Sequence, residues 1–576
     1  MSTSSNLLKI AGATVYDPAH GVNGEVRDIW IDGGQIVAAP ADPAARPATT
    51  LDAAGLVAMP GGVDMHCHIV GPKVNAARRM RPEEKRSPAA ALHARNSPPG
   101  AEGGAIRSGT LGSTPSTAAT GYQYAGLGYT TAFDAAIAPL AARHAHLEFA
   151  DTPCIDRGCF ILMGNNHYLM QAIGRNEPQL VRAFIAWLLR ATGGFAPKLV
   201  NPGGVERWKS GQLATATDLD TAIDGFPTTP RQIIRSVARA AAELHLPHPV
   251  HIHANHLGMP GNWNTTLETM RALEGHRAHL AHIQFHSYGG DATKAGTFCS
   301  AALPLADYFN THENISVDVG QVLFGATTSM TGDSAVGHYL SRLHGAKWFS
   351  HDVEFEAGCG VVPIEYKPKS LIHAWQWAIG LEWLLLATDP WRIALSTDHP
   401  NGGSFLAYPE VIRLLMDRTY RADVLRTIHP RVRERSLLAS LDREYSLSEI
   451  CIITRAAPAR LLGLSRKGHL GPGADADVTI YSPSANAAEM FQLPRYVFQA
   501  GRLVIENGEL RQEVFGKTLH VAPQFDPADE APIARWFDEH YSIRFRNYPV
   551  DESYLGEHQS VDCVQRVASA TECRAT

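Results

Sequence analysis

The sequence predicts an α/β chain: a TIM-like (β/α)8 barrel with a small β domain assembled from its N- and C-terminal flanks. Three observations carry that prediction. Strand-like apolar runs alternate with helical patterns through the middle of the chain. Short alternating strands with Gly, Asp and Pro turns occur near both ends. His-x-His pairs fall at the ends of predicted barrel strands.

Residues 7–51 hold "LLKIAGATVYD" and "VRDIWIDGGQIVAAP", and the pattern returns as "ADVTIYS", "YVFQAGRLVIENGEL" and "KTLHVAP". Between them, strands are expected at 63–69, 128–135, 159–166, 197–204, 248–255, 278–287, 315–324 and 392–400. Helical patterns such as "PQLVRAFIAWLLRAT" and "PRQIIRSVARAAAELH" separate them. The expected divisions are 1–58 and 466–525 for the composite β domain, 59–425 for the barrel, 426–465 for a helical return and 526–576 for a tail packing on the body or a partner. A long Ala-, Gly-, Ser- and Pro-rich loop, 81–126, follows the first strand, and loops of that length inside a compact domain are usually functional or disordered.

Composition narrows the function. The net charge of the 576 residues is −6, which argues against nucleic acid as the main partner. Eight cysteines without a CxxC pair argue against iron–sulfur and zinc-ribbon modules and against a secreted disulfide scaffold. The start "MSTSSNLLKIAG" lacks a signal-peptide pattern, and the longest apolar stretch, "LEWLLLATDPW", is too short to span a bilayer. A cytoplasmic protein without a membrane segment is expected. The surplus is histidine, with 27 residues.

Histidine is the commonest metal ligand and is costly to bury unsatisfied. His66 and His68, in "PGGVDMHCHIVGPK", alternate on one strand face and project together at the barrel mouth, while Cys67 points away. Lys198, in the fourth strand, faces the same mouth. A neutral amine beside a metal pair can add CO2 and become an anionic bridging carbamate, because lysine's pKa falls readily on burial. His253 on the fifth strand and His286 on the sixth lie nearer the mouth than His251 and His282, and are preferred as ligands. Asp398, in "LSTDHP", closes the eighth strand, placed to bind a metal and take a proton from water. His144 and His146 fall in a helical pattern and read as helix surface. The order of the six chosen residues along the strands predicts a binuclear metal site.

That set resembles the amidohydrolase superfamily, and "GLVAMPGGVDMHCH" and "RAAPARLLGLSRKGHLGPGADADVTIYS" resemble its passage into and out of the barrel. "HCHIVGPKVNAARR", "KLVNPGG", "HIHANHLGMPGNW", "HIQFHSYGG" and "STDHPNGG" narrow the resemblance to the A subunits of formylmethanofuran dehydrogenase and of the formyltransferase/hydrolase complex. The resemblance implies reversible hydrolysis of N-formylmethanofuran to formate and the free amine. Two Zn2+ would be held by His66, His68, His253 and His286, bridged by N6-carboxylysine at Lys198, with Asp398 as ligand and general base. It also implies partner subunits of that complex, to which any redox or formyl-transfer step would belong. Asn75 and Arg78 fall within the resembling motif as substrate contacts, in a basic stretch, 73–86, suited to an acidic arm of a methanofuran-type cofactor. Gln321, on the seventh strand, reads either as a substrate contact or as a buried structural amide. A cyclic-amide hydrolase of hydantoinase or dihydroorotase type shares the metal set, and a non-catalytic scaffold would show lost ligands.

Overall fold

The computed structural model describes residues 7–42, 46–82, 113–211, 218–294, 296–351 and 359–564. Most of the loop predicted at 81–126, including the end of the basic stretch, lies outside these residues.

Eight short strands form the barrel: β1 (Gly62–Cys67), β2 (Tyr129–Ile137), β3 (Asp156–Leu162), β4 (Ala196–Val200), β5 (Val250–His253), β6 (Ala278–Leu280), β7 (Ile315–Asp318) and β8 (Ile393–Ala394). Each pairs in parallel with the next. The ring closes through a parallel bridge between Cys67 and His399, reinforced by the His68 N–H donating to the His399 carbonyl at 2.7 Å. All eight coincide with predicted strands, because strands buried on both faces read as continuous apolar runs. The glycine pair ahead of β1 is steric in origin. A Cβ on Gly62 would lie 2.6 Å from the Tyr129 ring, so only glycine lets β1 close on β2.

Helices cover the outside, as βα alternation requires. Pro230–Glu243 buries Ile233, Ile234 and Val237 on one face and starts with a Thr229/Gln232 capping box. Pro178–Thr192 buries Phe184, Trp187 and Leu188 and ends at Gly193, which is left-handed (φ 59).

Both flanks meet in one nine-stranded sheet with its own small core of Ile10, Val15, Ile31, Val478 and Ile480. Its seam is the antiparallel pairing of Val57–Pro60 with Val478–Tyr481. "KTLHVAP" departs from expectation. Thr518–Val521 leaves the flank sheet, pairs with β3 and carries His558–Val561 in parallel, extending the barrel sheet. Alternation identifies the strand but says nothing about which edge it finds. Beyond it, the helix Glu530–His540 packs Phe537 against Trp187.

An unpredicted insert follows β7. Gly325–Thr331, Phe349–His351 and Cys359–Tyr366 form a three-stranded antiparallel sheet, with the helix Ser334–His344 beside it. It stands over the mouth of the barrel.

Candidate metal centre

A cavity of about 650 Å3 opens at the C-terminal end of the barrel. Its floor holds His66, His68, Lys198, His253, His282 and Asp398. Its outer wall comes largely from the insert and from the start of the helix Leu371–Leu386: Val336, Leu340, Ile364, Tyr366 and Ile372.

Strand alternation brings His66 and His68 to one face. Their Nε2 atoms lie 3.2 and 3.1 Å from Asp398 Oδ1. Asp398 sits past β8 with φ 51, a left-handed conformation uncommon outside glycine, which turns its carboxylate back over the two imidazoles. Burial alone would raise its pKa, but the facing imidazoles of His66 and His68 outweigh it and hold Asp398 well below the usual carboxylate range. Cys67 points outward, its thiol donating to the Phe133 carbonyl.

On the opposite side, His253 Nδ1 lies 3.1 Å from His282 Nε2. Burial and the neighbouring imidazoles push both rings well below the ordinary histidine pKa, leaving them neutral and able to ligate. Lys198 reaches the same cavity from β4. Burial pulls its ammonium down to about 7, against the opposing pull of Asp318 and Asp398.

Strand counting places His286 nearer the mouth than His282; the structure brings both into one cluster with His253, but only His282 lines the cavity. β6 ends at Leu280, and the chain leaves the sheet through His282 (φ 33) into a short 3-10 helix, Ile283–His286. His282 therefore faces the cavity, whereas His286 does not line it. His251 stays lower in the barrel, 3.2 Å from His66 Nδ1.

Three expected substrate contacts fall elsewhere. Asn75 binds Glu148, and Arg78 donates to the Asn75 side chain and to the Pro115 and Ile69 carbonyls, so both tie the helix Pro72–Met80 to its neighbours away from the cavity. Gln321 is a buried amide donating to the Val322 and Trp377 carbonyls. His144 is half exposed, but His146 is buried and donates Nε2–H to the Thr192 carbonyl at 2.8 Å, so only one of the pair is helix surface. From the basic stretch, Arg81 does line the cavity.

Three buried carboxylates behind the histidines escape the sequence reading. Asp134 lies 3.4 Å from His68 Nδ1, Asp318 lies 2.8 Å from His66 Nδ1, and Asp333 lies 3.8 Å from His253 Nε2. Lys73 adds a buried ammonium 3.1 Å from His68 Nδ1.

Cations fit this donor set. His66 Nε2, Lys198 Nζ and Asp398 Oδ1 are buried without hydrogen-bond partners among the described residues, although such atoms are normally satisfied. The donor atoms of His66, His68 and Asp398 lie within 4.8 Å of one another, as do those of His253, His282 and His286. These two clusters, all of whose residues but His286 line one cavity together with Lys198, suit water activation at a polarised carbonyl.

A (β/α)8 barrel carrying this floor at its C-terminal mouth defines a hydrolase of the metal-dependent kind. Residues 49–509 match the amidohydrolase family model, and the chain belongs to that family. It is 43% identical over 568 residues to Protein FwdA of Methanocaldococcus jannaschii, covering 95% of this chain and 97% of that one. It is 37% identical over 559 residues to the A subunit of the formyltransferase/hydrolase complex Fhc of Methylorubrum extorquens, covering 96% and 98%. The crystal structure of the FhcABCD complex from the same organism, with methylofuran, matches at a TM-score of 0.88 and 36% identity, over 97% of this chain and 100% of that one.

Proposed function

We propose that this chain is the hydrolytic A-type component of a formyltransferase/hydrolase or formylmethanofuran dehydrogenase complex, interconverting a formylated methanofuran-type amine with formate and the free amine. The observation that carries this reading is the complete ligand-type floor, kept in a chain alike over nearly its whole length to the A subunit of such a complex. The ligands we assign are His66, His68, Lys198 as N6-carboxylysine, His253 and Asp398. His282, which reaches the cavity, takes the place expected for His286.

Two divalent cations bound there, zinc by resemblance though the donor set also suits cobalt, manganese or iron, would supply Lewis acidity to lower the pKa of a water and polarise the formyl oxygen. The residues do the rest. Asp398, kept unprotonated, takes the proton of the attacking water and returns it to the departing amine. The neutral rings of His253 and His282 offer lone pairs, not positive charge, on their side of the floor. Phe285, Phe298, Val336 and Leu340 give the outer cavity an apolar wall that packs the body of the substrate and thins the water around the reacting carbonyl.

No helix among the described residues is long and apolar enough to cross a membrane, and a cytoplasmic location belongs to this reading. The test is metal content together with formate release from N-formylmethanofuran, for wild type and Lys198→Ala in the assembled complex. About two metals per chain, with metal and activity lost together in the variant, is the expected result. Metal-free protein would return the chain to a scaffold role, and full activity without Lys198 would mean that the site is not built on that residue. Turnover of a hydantoin but not of the formamide would make it a cyclic-amide hydrolase.

A further inference from the structure

Asp318 ends β7, and its carboxylate is fully buried beneath the floor of the cavity. Oδ2 lies 2.8 Å from His66 Nδ1 and 3.1 Å from His279 Nε2. Oδ1 accepts the backbone N–H of His282 at 2.9 Å. One side chain thus reaches both ligand clusters. It touches the ring of His66 on one side, and on the other the left-handed backbone that aims His282.

The hydrogen bonds also fix where the protons sit. An ionised carboxylate only accepts. His66 therefore carries a proton on Nδ1, and Nε2, the nitrogen facing Asp398, is the one left for a cation. The surrounding histidines extend this assignment without conflict. His251 Nε2, 3.2 Å from His66 Nδ1, accepts a share of that proton. His251 then donates through Nδ1 to His248 Nε2 at 3.0 Å, and His248 donates through Nδ1 to the Leu461 carbonyl at 2.9 Å. On the other branch His279 donates through Nε2 to Asp318 and accepts the Ser316 hydroxyl at Nδ1, 2.9 Å away. Every ring nitrogen of His248, His251 and His279 is committed within this chain. The trio His66, His251 and Asp318 is compact enough to suggest a cation, but its atoms already satisfy one another.

We propose that Asp318 is a positioning residue that sets the tautomer of His66 and the aim of His282 together, with His251–His248 and His279–Ser316 as the two branches that hold it. This rests on the ligand set proposed above. Carboxylates behind ligating histidines contribute about 10- to 100-fold in metal affinity. Here one carboxylate serves both halves of the site, so substitutions that remove different oxygens should separate them.

The experiment uses the full chain, loaded with Zn2+ or Co2+, with affinities from competition against a chromophoric chelator. Asp318→Asn can keep an acceptor on the His282 N–H but turns a donor toward His66. It is expected to weaken one cation about 10- to 100-fold, leave the other near wild type, and change one component of the Co2+ absorption. Asp318→Ala loses both oxygens and should weaken both cations. Two cations bound with wild-type affinity and an unaltered Co2+ spectrum in both folded variants would overturn the inference. So would a third cation in wild type that disappears in Asp318→Asn while the other two stay unchanged. If the variants do not fold, ring-nitrogen NMR of metal-free wild type decides: a proton on His66 Nδ1 supports the assignment, and an unprotonated Nδ1 overturns it. That spectrum also separates this inference from the ligand set, which fails by itself if wild type binds no metal.

Discussion

At the scale of single residues, the site was legible where residue type and strand position constrained each other. His66, His68, Lys198, His253 and Asp398 each lie in a barrel strand or just past it, and each lines the cavity. Asp134, Asp318 and Asp333 were not legible, because a lone aspartate near a strand end reads equally as a turn or a cap, and its partner lies far away in sequence. His66 and Asp318, for example, stand 252 positions apart. His286 is preferred over His282 only if the strand continues, whereas β6 stops at Leu280. Two outcomes follow. Asp398→Asn removes the proton acceptor over His66 and His68, and formate release should fall about 10²- to 10⁴-fold in a steady-state assay while the circular dichroism spectrum is unchanged. His282→Asn should cost a cation by elemental analysis. His286→Asn, altering a ring that does not line the cavity, should retain both, and the reverse pattern would restore His286 as the ligand.

Elements were read unevenly. The eight barrel strands stood out as apolar runs, but the insert after β7 did not. "GATTSMT" is small and polar, and the hairpin it joins pairs with Cys359–Tyr366 across a long intervening segment, beyond any local turn signal. The insert supplies much of the cavity wall, so its seating should govern substrate binding more than chemistry. Arg81, just past the helix Pro72–Met80, donates Nη1 to the Thr327 carbonyl at 3.3 Å and to the Ile364 carbonyl at 3.2 Å, spanning both long strands of the insert. Charge-assisted hydrogen bonds of this kind contribute about 1.5–3 kcal/mol. Arg81→Ala is therefore expected to raise KM about tenfold with kcat and metal content nearly unchanged, measured by steady-state kinetics with paired elemental analysis. A loss of metal or a collapse of kcat alone would place Arg81 in the chemistry instead.

Across the whole molecule, the composite sheet was legible because alternation recurs at both ends, while the capture of Thr518–Val521 by the barrel was not, since pairing partners leave no local trace. The histidine surplus has a consequence beyond the metal floor. His146, on the helix Ala142–Ala150, is buried and spends Nε2–H on the Thr192 carbonyl that ends the helix Pro178–Thr192, joining two outer helices. Burial pushes its pKa down to about 4, against the opposing hydrogen bond to the Thr192 carbonyl. The unfolded chain binds that proton below about 6.5, but the folded one does not until about 4. The contribution of His146 is therefore fully present above pH ~6.5 and is lost as pH falls toward ~4. Between pH 7 and pH 5 that amounts to about 2 kcal/mol. His146→Gln keeps an amide donor for Thr192 and removes the titration. Urea midpoints measured at both pH values should show wild type losing more stability on acidification than the variant, by about that amount. Equal losses would mean that His146 is already protonated in the folded chain, or that its burial does not persist in solution.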